Sequence, residues 1–210
     1  KSVVARRIVL EITFPEGVQP RRFLGRPDAI EGRTARIEFS TLAGDQNREV
    51  LVSCGLDPAK FDKQARLAEV SVTWDDSTGT AKDRQELNRK VVVNLTDNAA
   101  EAKKSLYAEV AVQAEIYRNA DAADKALALA DSGKKEEADA IFGSQIEKLR
   151  AAQTAAPAAQ QAVLEREIEV LEESQQGLSE AGLSKTSRKR LQWNLYQRRN
   201  AKTIEPAPKK

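Results

Sequence analysis

With 210 residues, 34 Lys and Arg against 32 Asp and Glu and a formal net charge of +2, the chain has no global charge excess of the kind that marks a polyanion binder. It contains no histidine and a single cysteine, which excludes Ser-His-Asp and Cys-His nucleophilic sites, imidazole-based zinc sites, thiolate clusters and any intramolecular disulfide. Hydrophobic residues make up 40% but aromatic ones only 5%, so a core must be built mainly from Val, Leu, Ile and Ala.

The first half alternates. Ile8, Leu10, Ile12 and Phe14 recur at every second position before Pro15-Glu16-Gly17, the pattern of a half-buried strand that stops at a turn. The run Val18–Phe23 predicts an edge strand, because Pro20 has no N–H to give to a ladder. Residues 35–39 and 50–52 flank Ala43-Gly44-Asp45-Gln46-Asn47 and predict one hairpin; residues 70–74 and 91–95 predict a second, with a longer loop. Cys54 falls at an alternating position and reads as a small buried hydrophobe. The acidic string Asp75-Asp76-Ser77-Thr78-Gly79-Thr80 lacks the alternating ligands and closing glutamate of an EF-hand, so it reads as a polar hairpin tip with Gly79 at positive φ.

From Asp97-Asn98, good helix N-caps, the period becomes helical. Leu106, Val110, Ala114 and Tyr117, spaced four, four and three apart, predict one long helix from Ala99 to the stop at Gly133. Ala138, Ile141, Phe142, Ile146 and Leu149 predict its antiparallel partner. Leu164, Ile168 and Leu171, following Pro157, predict a third helix, and residues 187–201 a last one carrying Leu191, Trp193, Leu195 and Tyr196. The spacing of Ala138 and Phe142 matches the second helix of tetratricopeptide repeats. A shift by that family's period meets Glu172 and Lys104 where small residues belong, so a single helical hairpin in a bundle is the better reading. The expected fold is α+β in two segregated parts: an all-β sandwich of immunoglobulin or fibronectin type over 1–97, an antiparallel helical hairpin or bundle over 98–204, and a tail at 205–210.

Charge is unevenly placed along the chain. Lys and Arg number 16 against 15 Asp and Glu in 1–98, 9 against 16 in 99–183 and 9 against 1 in 184–210, so a strongly basic end follows acidic helices. No glycine-rich phosphate loop occurs. Glu165, Glu167, Glu169, Glu172 and Glu173 read as the solvated face of a helix rather than as paired acid and base groups, and no enzymatic activity is expected. No run of about 18 apolar residues is present, so no transmembrane segment is predicted.

Five strings occur in a telling order: Ile12-Thr13-Phe14-Pro15-Glu16-Gly17-Val18, then Arg48-Glu49-Val50-Leu51-Val52, then Val70-Ser71-Val72-Thr73-Trp74-Asp75 leading through Thr78-Gly79 to Val91-Val92-Val93. Helical strings follow at residues 130–138, Ala-Asp-Ser-Gly-Lys-Lys-Glu-Glu-Ala, and at 187–199, Ser-Arg-Lys-Arg-Leu-Gln-Trp-Asn-Leu-Tyr-Gln-Arg-Arg. This order resembles the region that follows the von Willebrand factor A domain in bacterial proteins of that class. The resemblance implies a non-catalytic β-sandwich plus helical bundle accompanying an A domain that is itself absent from the chain. It also implies a metal held by a D-x-S-x-S motif in that domain. Asp75-Asp76-Ser77-Thr78-Gly79 does not satisfy the motif, so no cofactor or metal ligand is assigned here, and a magnesium or calcium ion would belong to an upstream A domain. The absence of methionine and the opening Lys1-Ser2-Val3-Val4, already strand-like, fit the expectation of a piece of a longer chain.

The leading functional expectation is a structural and protein-interaction module that positions an A domain or docks an assembly through an unidentified protein partner. The rival is binding of nucleic acid or an anionic surface by the basic C-terminal helix. Its candidate residues are Lys185, Arg188, Lys189, Arg190, Trp193, Tyr196, Arg198 and Arg199, a mix of charge and stacking groups suited to single strands. Against the rival stands intramolecular docking, in which this basic helix packs on the acidic helices and buries Trp193 and Leu195. Docking is favoured, and nucleic acid is the weaker reading. Cytoplasmic placement is favoured over the cell envelope; the sequence does not fix an oligomeric state.

Overall fold

The computed structural model describes residues 2–179 and 182–200; the expected tail at 205–210 and the end of the expected last helix at Ala201 lie outside the described residues. The chain divides into two compact units, Lys1–Phe23 with Pro27–Lys104, and Leu24–Arg26 with Ser105–Lys210.

In the first unit the alternating first strand becomes the centre of a sheet. Strand β1 (Val3–Thr13) lies between β3 (Thr34–Ala43) and β5 (Gln64–Asp76), with β6 (Arg84–Asn94) on the outer side of β5, and all pairings are antiparallel. The register aligns the apolar alternation across strands: Ile8 faces Phe39, Leu10 faces Ile37 and Val72, and Ile12 faces Ala35 and Val70. Opposed side chains share a face, so one side of the sheet is apolar. Strand β2 (Val18–Phe23) pairs with β4 (Val52–Leu56) in a separate two-stranded ribbon whose Val18, Phe23 and Val52 join Phe14, Ala35, Ile37 and Ala68 in one core. Burying each larger side chain of this set contributes about 1.5–3 kcal/mol. A short helix α1 (Ala99–Lys104) closes the unit, its first turn capped by Asn98 Oδ1, which accepts from the N–H groups of Ala100 and Glu101.

Three expectations for this half are corrected. The expected hairpin of 35–39 with 50–52 does not form: β3 pairs with β1, and the later strand starts at Val52 and pairs with β2. Cys54 is exposed rather than buried: it shares a face with Val52, but of β4 only Val52, at the start of the strand, reaches the core. The immunoglobulin or fibronectin-type sandwich is not seen either, since that architecture needs two sheets of three or more strands and the second layer here is a two-stranded ribbon. The loop after β5 is a tip organised by Asp76, whose carboxylate accepts from Thr78 N, Thr78 Oγ1, Thr80 N and Ala81 N. Those bonds, led by the Thr78 and Ala81 N–H groups, hold its carboxyl down at about 2.

The second unit consists of α2 (Ala108–Asp131), α3 (Lys135–Ala155), α4 (Ala158–Gln176) and α5 (Lys185–Arg199), with a two-residue strand pair β7 (Leu178–Ser179) and β8 (Gly182–Leu183) before α5. The single long helix expected from Ala99 is broken. Tyr107 is extended, its carbonyl opens a new helix by accepting from Ala111 N, and Leu106 and Val110 are exposed rather than part of the buried stripe. Burial starts at Val112 and runs through Ile116, Ala120, Ala123, Ala126 and Ala130, small side chains that let neighbouring helices approach. Gly133, at φ +76°, ends α2 in a Schellman motif: Lys134 N donates to Leu129 O at 2.9 Å and Gly133 N to Ala130 O at 3.2 Å. The turn returns α3 onto α2, and Ala138, Phe142, Ile146 and Leu149 meet Leu164, Ile168 and Leu171 of α4 in the second core.

The expected segregation into two parts along the chain is also corrected. Leu24–Arg26, within the β half of the sequence, belong with the helices. Gly25 N donates to Asp121 Oδ1 at 3.2 Å, its φ is +69°, and a Cβ there would overlap the Tyr117 ring at Cδ1. Only glycine provides both the left-handed backbone and the clearance.

Candidate interaction site on the last helix

Helix α5 begins where Ser184 Oγ accepts from Ser187 N at 3.2 Å, with Ser187 Oγ in turn donating to Glu173 O of α4 at 3.2 Å. Leu191 and Leu195, one turn apart, are buried in the helical core and set which side of α5 faces inward. Arg198 continues that side, and its burial is the main surprise: it is 2% exposed, and Glu167 of α4 is 3% exposed. Arg198 Nη2 donates to Glu167 Oε1 at 2.6 Å, and Asn119 Nδ2 donates to Glu167 Oε2 at 3.2 Å. The guanidinium carbon lies 5.9 Å from the centre of the Tyr117 ring. Burial pushes the Glu167 carboxyl above the usual glutamate value, against the opposing pull of Arg198, Asn119 and Asn194.

Three further arginines of α5 are tied to acidic residues. Arg188 forms a two-pronged pair with Asp131, one bond from Nη1 to Oδ2 at 2.9 Å, and holds the Asp131 carboxyl below its usual value. Arg190 pairs with Glu173, and Arg199 Nη2 pairs with Asp124 Oδ2 at 2.6 Å. Lys185 and Lys189 make no ion pair among the described residues. The expected burial of Trp193 is corrected: Trp193 is 59% exposed and Tyr196 48% exposed, and their rings stack with centroids 5.7 Å apart at 25°. Leu195 is buried as expected. The eight candidate residues therefore separate: four arginines face acidic partners on α2 and α4, while Trp193 and Tyr196 form an outward pair.

Glu167 and Asn119 did not stand out as site residues in the sequence, although a signal existed. Glu167 is three residues after Leu164 and four before Leu171, Asn119 is three after Ile116, and Arg198 is three after Leu195, so all three lie in apolar stripes. Trp193, two residues from both Leu191 and Leu195, lies off its stripe. The reading of all five α4 glutamates as a solvated face is corrected at Glu167 by this placement.

A groove of about 510 Å³ on the first unit is lined by Gly17, Arg21, Arg33, Gly55 and Asp57, and its single carboxylate, Asp57, accepts from Ala59 N. Among the described residues no group of three or more His, Cys, Asp or Glu is arranged to hold a metal, and no helix is long and apolar enough to cross a membrane.

No family model matches the chain, and no curated protein matches it. Solved structures do. A von Willebrand factor type A structure from Catenulispora acidiphila matches with a TM-score of 0.59 at 14% identity, over 98% of this chain and 47% of that one. The ArnB paralog VWA2 from Sulfolobus acidocaldarius matches with a TM-score of 0.52 at 15% identity, over 95% of this chain and 42% of that one. At such identities the likeness concerns fold, and the chain spans less than half the length of each of these structures. The chain's own fold is von Willebrand factor A-like in this sense, as one match that runs through both units. That overturns the expectation of an accompanying piece set apart from a domain of that kind, together with the description of it as a β-sandwich joined to a separate helical bundle.

Proposed function

We propose that the chain is a non-catalytic protein-interaction module and that the outer face of α5 is its contact surface. The observation that carries this reading is the exposed, stacked pair Trp193 and Tyr196 on a helix whose inner side is fixed by Leu191, Leu195 and the Arg198–Glu167 pair. Aromatic side chains are enriched in interface cores, and side chains that already stack on each other have less rotamer freedom to lose when they are covered. The lack of histidine, the commonest general base near neutral pH, supports a non-catalytic role. The rival, a single-stranded nucleic acid laid along α5, is favoured by the same ring stack beside Lys185 and Lys189 but weakened by the acidic partners of Arg188, Arg190 and Arg199.

A photo-crosslinking residue placed at position 193 tests both. The interaction reading expects a specific protein adduct from the native lysate that Tyr196→Ala removes, at an unchanged melting temperature. Salt-sensitive binding of mixed-sequence RNA or DNA, lost on Lys185→Glu with Lys189→Glu and with no protein adduct, favours the rival.

A further inference from the structure

Strand β6 is unlike the other long strands of its sheet. It lies at the sheet edge, and nine of its eleven side chains are exposed, on both faces, among them Leu87, Val91 and Val92. Its outer side has no strand partner among the described residues. It is also regular: the register with β5 runs without interruption from Arg84 opposite Asp75 to Val91 opposite Ala68, and the extra residue of the following bulge lies on β5. Natural edges of this length are usually shortened, bulged, covered or charged, because unpaired N–H and C=O groups invite another strand; β6 is guarded by charge alone, through Arg84, Glu86, Arg89 and Lys90, so it admits only a strand whose charges match.

The sequence of β6, Arg84-Gln85-Glu86-Leu87-Asn88-Arg89-Lys90-Val91-Val92-Val93-Asn94, sets unlike charges opposite each other in only one residue-centred antiparallel register of seven or more residues. Centred on Asn88, that register sets Glu86 of each copy opposite Lys90 of the other, Asn88 opposite Asn88 and Gln85 opposite Val91, with the two Leu87 side chains diagonal neighbours on one face. Moving the centre to Leu87 sets Arg84 opposite Lys90, and moving it to Arg89 sets Arg89 opposite itself. Both shifts oppose like charges, which destabilises a cross-strand pair. An antiparallel pair about an axis perpendicular to the sheet keeps each residue on its own face, so centres between residues are not available. We propose that two copies of this chain pair through β6 in the Asn88-centred register, joining their sheets across a two-fold axis. Glu86 and Lys90 set the register, and the backbone of β6 supplies the hydrogen bonds.

Sedimentation of the full chain tests this, with Glu86→Lys, Lys90→Glu and the double exchange; both positions are exposed, and melting temperature reports that each variant is folded. The wild type should show a concentration-dependent species of twice 23.1 kDa. Each single exchange places two like-charge pairs across the axis and should leave the chain monomeric. The double exchange restores opposite charges and should restore the dimer. An equimolar mixture of the two single variants should also dimerise, because each lysine of one then faces a glutamate of the other. A wild type that stays monomeric at all concentrations overturns the proposal. So does a dimer indifferent to the exchanges, or one that neither the double exchange nor the mixture restores.

Discussion

Arg198 and Glu167 are a charged pair held in an otherwise aliphatic interior, and their cost and benefit are asymmetric. Removing one partner leaves the other charge buried without compensation, so Arg198→Ala should lower stability by about 3–5 kcal/mol, read from urea unfolding. Replacing both by leucine removes the desolvated charges together, and that double variant should cost less than Arg198→Ala alone. The sign of the pH dependence follows from the carboxyl. Burial, the largest influence, raises Glu167 above 4.5, so just above that value the folded chain retains a proton that the unfolded chain releases. Its stabilising contribution is full below 4.5 and is lost as pH rises through the folded value. The melting temperature of the wild type, taken relative to Glu167→Gln, should therefore fall as pH rises from 4.5. A relative melting temperature that rises over that range would reverse the assigned direction.

Among the elements, α5 shows most clearly how local pattern and tertiary context divide the information. Its inner residue Leu191 is fully buried, and Leu191→Ala should cost about 2–5 kcal/mol. Trp193→Ala, on the outer face, should change stability by about 0.5 kcal/mol or less in spite of the larger side chain removed. Denaturant unfolding of the two variants side by side checks the order, and equal losses would mean that Trp193 is covered in solution. The ion pairs Arg190–Glu173 and Arg199–Asp124 are half exposed, contribute about 0–1 kcal/mol each and weaken with salt. Helix hairpins were legible in the sequence because Gly133 and the Ala138, Phe142, Ile146, Leu149 stripe act within a few residues of each other. The β5–β6 hairpin was legible only as a pairing: residues 70–74 face 85–89 and not the expected 91–95, because the strand already starts at Arg84, in a charged stretch that reads as loop. The β2–β4 ribbon was not: strands about 30 residues apart in the chain leave no local mark of their pairing. The break before α2 was missed because Leu106 and Val110 have helical spacing but nothing to cover them. For the candidate site, the helix and its aromatic residues are legible in the sequence, but inside and outside are reversed at Trp193 and Arg198, because the helical phase set by Leu191 and Leu195, and not residue type, decides burial there.

For the whole molecule, the two cores share no residue: the first is drawn from Ile12 to Ala68, the second from Val112 to Leu195. A fragment of residues 1–104 should therefore fold by itself, with a cooperative melt and a β-type circular dichroism spectrum. A disordered fragment would mean that the helices complete its core. Leu24–Arg26 are the exception to this division, and Gly25→Ala separates the two cases. In the full chain the new methyl group meets the Tyr117 ring at a position where φ is +69°, and backbone strain alone costs about 1–3 kcal/mol. In the 1–104 fragment the Tyr117 ring that the methyl group would meet and the Asp121 carboxylate that accepts from Gly25 N are both absent, so φ can relax to negative values. Gly25→Ala should thus lower the full chain's melting temperature by several degrees and leave that of the fragment nearly unchanged. Equal losses in both would place the constraint on Gly25 within the β unit and not at Tyr117.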